Sequence, residues 1–219
     1  MLILLALNLG TTEVSPAPVC STGETGCRFI SIDDLFDRVI LHSSKLHSIA
    51  SDLYTDVEQH FLTSKNQLGR SANPCHTASI RTPNGKENVQ KVPGEELTQV
   101  ILRLLLAWKD PLLRLHKNIG QYEEFSVAGH TRTKEISDMV QSMRSGVEKV
   151  AEKMKSLQII NNSLYGLPLP KNEDLSESEN TEAELLTDFE LLHCFRRDSD
   201  KIQNYLRMLK CRIVPENKC

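Results

Sequence analysis

The sequence predicts an all-α protein, an up-up-down-down four-helix bundle with two long crossover loops. Two observations carry that expectation. Four long stretches hold apolar residues at the 3-4-7 spacing of one buried helical stripe. The segments joining them are unequal: roughly 33 residues between the first and second, about ten between the second and third, roughly 22 between the third and fourth. A helix of ~28 residues is ~42 Å long, and extended chain covers at most ~3.5 Å per residue, so recrossing that length takes at least ~12 residues. The outer connections are long enough to recross and the middle one is not.

The first helix is expected from Ser31, an N-cap with Asp34 three residues on. Its stripe is Ile32, Leu35, Phe36, Val39, Leu46, Ala50, Leu53, Val57 and Phe61. The second spans about 95–121 on Leu97, Val100, Ile101, Leu104, Leu105, Trp108, Leu112, Leu115 and Ile119. It is the most apolar of the four and is expected to be the most buried. Pro111 removes one backbone donor and should kink it. The third covers about 132–158, on Ile136, Met139, Val140, Met143, Val147, Val150, Met154 and Leu157. The fourth opens with the capping box Thr181-x-x-Glu184 and runs to about Cys211.

Ahead of these lies "MLILLALNLG", an apolar run too short to span a bilayer, followed by the small and polar residues "TTEVSPAPVC". This predicts a secretory signal peptide over 1–16 and a bundle domain over 17–219. No Lys or Arg precedes the apolar run, as expected if its start is truncated. Six cysteines in 219 residues fit an extracellular, oxidising destination. Asn161-Asn162-Ser163 is a possible N-glycosylation sequon. A net charge of −3 gives no reason to propose nucleic acid or an anionic membrane as partner.

Geometry narrows the fifteen possible cysteine pairings. If 194–211 is helical, Cys194 and Cys211 are attached ~25 Å apart, whereas a disulfide needs α-carbons within ~7 Å. Cys20 and Cys27 flank a short segment containing Gly23 and Gly26; Cys211 and Cys219 flank a turn-capable one containing Pro215. Cys75 of the first crossover is left for Cys194. Cysteines so bonded are not nucleophiles, which removes the catalytic reading of Cys75-His76 and His193-Cys194. His42 and His47 stand five apart, poor spacing for joint coordination, and no Gly-rich phosphate loop, HExxH or paired-carboxylate signature occurs. No catalytic residue, metal or cofactor is expected.

In the fourth helix, Phe189, Leu192, Phe195, Ile202, Leu206 and Leu209 face inward on 3.6 periodicity. His193, Arg197, Asp200, Lys201, Asn204 and Arg207 form an outer band beside Tyr205. Such a band is either a solvated face or a binding surface. Its Arg and Tyr favour binding, but composition does not decide.

The stretch "LLHCFRRDSDKIQNYLRMLKCRI" (191–213) resembles the fourth-helix signature of the prolactin/growth-hormone family, in particular its prolactin branch. "SIDDLFDRVI", "SANPCHTASIRTP" and "ILRLLLAWKDPLLRL" extend the resemblance along the chain, and the pair Cys20 and Cys27 is a further feature of that branch. The resemblance implies a long-chain cytokine-type bundle, secreted as a polypeptide hormone. It implies a partner as well, two copies of a prolactin-type class I cytokine receptor. A high-affinity face would combine helices one and four with the first crossover, here through His47, His193, Arg197, Lys201, Tyr205 and Arg207, with Asp200 and Asn204 in the same band. A weaker face would combine helices one and three, where Gly146 matches a small residue that leaves a cleft. Ser44 replaces one of a frequent helix-one histidine pair, and Asp200 stands where a further histidine is common, so imidazole-dependent contacts are in doubt. The alternatives are another family member, growth-hormone-like or somatolactin-like, or a secreted helical carrier, which would need a persistent internal pocket.

Overall fold

The computed structural model describes residues 30–64, 74–120, 122, 128–161 and 181–214, without the side chains of 60–64 and 181–183. The expected signal segment, Cys20, Cys27, Cys219, the side chains of Phe61 and Thr181, and the acidic run before the last helix lie outside them. The elements are α1 (Ile32–Ser64), a 3-10 turn (His76–Ser79), α2 (Lys86–Lys91), α3 (Gly94–Ala107), α4 (Lys109–Ile119), α5 (Ala128–Ser156) and α6 (Thr181–Ile213).

Side-chain contacts give the direction of each helix. Lys210, near the end of α6, pairs with Asp33 at the start of α1 at 2.7 Å. Tyr54, far along α1, stacks on Phe189 near the start of α6 with ring centroids 5.2 Å apart. These two helices are antiparallel. Lys45–Glu135 at 2.7 Å and the Asp56–Arg132 pair run α5 antiparallel to α1. Asn118 of α4 reaches Asp188, while Trp108, between α3 and α4, reaches Asp198, so α3 and α4 also oppose α6. The result is up-up-down-down, in agreement with the loop-length arithmetic. The stripes meet in one core, where Phe36, Leu46, Leu53, Trp108, Leu112, Leu115 and Phe195 are almost completely buried.

Three departures have local causes. The expected second helix is two, α3 and α4, meeting at Trp108. Pro111 has no N–H for the Ala107 carbonyl, and its ring crowds that oxygen. His76 Nε2 of the crossover meets the Ala107 carbonyl instead, at 3.3 Å. The first crossover is also not featureless, since it carries the 3-10 turn and α2.

Leu157, expected in the third stripe, is 48% exposed. α5 ends one residue earlier, in a Schellman turn: Ile159 N–H donates to Met154 O and Gln158 N–H to Lys155 O, with Gln158 at φ 58°. The helix has ended where Leu157 would complete the stripe, and the left-handed residue turns the chain so that Ile160 enters the core at 4% exposure.

Candidate functional site

The crossover is stitched along α6. Cys75 and Cys194 form a disulfide with α-carbons 5.7 Å apart. One turn on, Asp198 is fully buried. Its carboxylate accepts from Thr77 Oγ1 at 2.6 Å, Trp108 Nε1 at 3.1 Å and the Arg197 guanidinium at 2.8 Å. A buried charge is tolerable only with such partners. Lys201 Nζ then donates to Thr82 Oγ1 at 2.9 Å, and the Tyr205 hydroxyl donates to Pro83 O at 2.7 Å. Cys194, Asp198, Lys201 and Tyr205 follow a 4-3-4 spacing, which is one stripe of a helix.

This corrects the sequence reading of the outer band. Tyr205 is 3% exposed, so it holds the crossover down and offers little surface. Asp198, Ser199 and Gln203 are buried too. The buried face of α6 is wider than an apolar stripe suggests, because the crossover covers one flank. Arg197 remains 39% exposed, fixed between Asp198 and Thr77 Oγ1. Burial, followed by the neighbouring Arg197 charge, lowers the Lys201 pKa; burial raises that of Tyr205.

The other flank of α6 meets α1. Ser199 donates to the Arg196 carbonyl at 2.8 Å, so its oxygen accepts from His47 Nδ1 at 3.0 Å. Ser44 accepts from Gln203 Nε2 at 2.5 Å and Arg207 Nη2 at 3.4 Å. Ser44 thus has a structural job at the position where the resemblance sets a histidine. The Arg196 guanidinium lies 4.7 Å from the Tyr54 ring centre, and His193 sits beside the same ring. His193, Asp200, Asn204 and Arg207 are exposed, with Asn204 donating to Asp200 at 3.1 Å. Between α2 and α6 opens a groove of about 440 Å³ whose lining includes Lys86, Val89, Lys201 and Met208. His47, Arg197, Lys201 and this exposed set therefore share the surface of α1, α6 and the crossover.

Gly146 lies apart from them, on α5 against α1. A β-carbon there would stand 2.8 Å from Val39 Cγ1, so the missing side chain is what lets the helices approach. Sequence reasoning missed the polar parts Thr77, Asp198, Ser199 and Gln203. For Asp198 the available signal was the helical stripe it shares with Cys194 and Tyr205; Thr77, in the crossover, carried none.

A sequence profile of the Somatotropin hormone family matches residues 3–219. The chain belongs to the Somatotropin hormone family. Hormones of this family are secreted signalling ligands of class I cytokine receptors and are not enzymes. Among the described residues of this somatotropin-family chain, no helix is long and apolar enough to cross a membrane, and no cysteine is free. Cys211 is disulfide-bonded, while its expected partner Cys219 lies outside the described residues.

Proposed function

We propose that this somatotropin-family hormone is of the prolactin type, and that it signals by holding together two copies of a prolactin-type receptor. The first copy is captured by α1, α6 and the crossover through His47, His193, Arg197, Asp200, Lys201, Asn204 and Arg207, with Tyr205 setting the crossover in place. The observation that carries this is the stitching of the crossover to α6, which presents residues far apart in sequence as one preformed surface. A preformed surface loses little ordering entropy on binding. The second copy docks on α1 and α5, where Gly146 keeps the two helices close. Once the first receptor is held, the second is confined to the same membrane and meets the hormone at high effective concentration. On this reading residues 1–16 are a secretory leader, Cys20 pairs with Cys27 and Cys211 with Cys219. Asn161, exposed just beyond α5, is then the glycan acceptor.

His193→Ala with Arg207→Ala tests the first face, because both side chains are exposed. Truncating two binding hot spots costs at least ~1–2 kcal/mol, so capture of a prolactin-type receptor ectodomain should weaken about tenfold or more. Circular dichroism should be unchanged. Wild-type affinity in the double variant rejects this face. Tighter capture by a growth-hormone receptor ectodomain, or a 1:1 limiting complex in light scattering, rejects the prolactin-type assignment or the bivalent mechanism respectively.

A further inference from the structure

His116 on α4 and His130 in the first turn of α5 lie at the end of the bundle where those helices connect, with ring centroids 3.9 Å apart. Neither belongs to the proposed receptor faces. Thr133, fully buried, has one hydroxyl hydrogen, directed to Gly129 O at 2.9 Å and His130 O at 3.1 Å. Its oxygen therefore accepts from His116 Nδ1, 3.0 Å away. The tautomer that satisfies this bond carries its hydrogen on Nδ1 and its lone pair on Nε2. A ring N–H donated to a fixed oxygen is the arrangement that orients metal-binding imidazoles.

Gly120 adds an independent observation. Its backbone is ordinary helix, φ −69° and ψ −13°, so no unusual conformation requires glycine there. A β-carbon at 120 would, however, press on His130 Cδ2 at 3.3 Å. The nearby Lys134 is ion-paired to Asp138 at 2.9 Å, so its charge is compensated.

We propose that His116 and His130 form a two-imidazole site for a divalent transition-metal ion of borderline softness, such as zinc(II). Imidazole nitrogen suits that class of ion, and Zn–N bonds are about 2.0–2.1 Å. His116 Nε2 is the fixed ligand, and the exposed His130 ring turns to bring a nitrogen onto the same ion. No group of three or more His, Cys, Asp or Glu able to hold a metal occurs among the described residues, so water completes the coordination.

The test is zinc titration of the full chain against a chromophoric chelator, with imidazole ¹⁵N spectra as a second readout. One ion is expected per chain, moving the His116 Nε2 resonance. His130→Ala removes an exposed ligand without touching the core and should weaken binding at least about tenfold. Thr133→Val, which removes the orienting oxygen, should weaken it about tenfold as well. His42→Ala and His193→Ala should leave it unchanged. Undiminished binding in His130→Ala, loss in His193→Ala instead, or no uptake by the wild-type chain overturns the site.

Discussion

Asp188 and Asp198, on the same helix, are both buried carboxylates with different surroundings. Asp198 has a guanidinium and two further donors. Asp188 accepts from neutral donors at longer range, Asn118 Nδ2 at 3.4 Å and the Tyr122 hydroxyl at 3.2 Å, with the Arg114 charge acting on it through space, without a hydrogen bond between the two among the described residues. Burial accordingly raises the Asp188 pKa from 3.8 to about 6. The folded chain therefore binds a proton between those values that the unfolded chain does not. Stability from this group is present at low pH and is lost as pH rises from about 4 through about 6. The difference corresponds to roughly 3 kcal/mol at most. Urea denaturation of wild type and Asp188→Asn at pH 4 and pH 7 checks it. The variant should gain relative to wild type as pH rises, and parallel pH profiles would refute a strained Asp188 carboxylate.

Helix contacts turn on single atoms in the same way. Alanine at 146 favours a helix interior by ~1 kcal/mol over glycine, but its β-carbon would meet the stiff Val39 side chain at 2.8 Å. Overpacking costs ~1–3 kcal/mol, so Gly146→Ala should be destabilising by about 1 kcal/mol. In a Val39→Ala background the same change should instead stabilise by about 1 kcal/mol. A double-mutant cycle of unfolding free energies measures this, and simple additivity would deny the contact. The same contact limits any bulky substitution at 146 as a probe of the second receptor face, since it strains α1 against α5 whether or not a receptor binds. The extent of α5 was legible to within about a turn. The fate of Leu157 was not, because a non-glycine left-handed residue such as Gln158 carries no strong sequence signal.

Across the whole molecule, the crossover depends on one covalent bond and the hydrogen bonds that follow it. The Cys75–Cys194 bridge spans 119 residues, for which the chain-entropy model gives about 5 kcal/mol as an upper value. Cys75→Ala with Cys194→Ala should lower the denaturation midpoint by a corresponding amount and weaken receptor capture more than it changes helicity. Full-affinity capture by this variant would mean that Thr77, Thr82 and Pro83 hold the crossover without the bridge.

The sequence by itself placed the helical stripes, Leu157 apart, gave loop lengths that admit the bundle topology, and left Cys75 for Cys194. Those follow from periodicity, chain length and the reach of a disulfide, all properties of the chain read locally. Only the tertiary structure decided what lies against each face. It covered a flank of α6 with the crossover, buried Asp198 and Tyr205, supplied His76 to the carbonyl that Pro111 leaves unpaired, and set Gly146 on Val39. Periodicity records which residues of a helix share a side. It carries no record of a partner about 120 residues away, and that partner decides whether a polar residue is wet surface or part of the core.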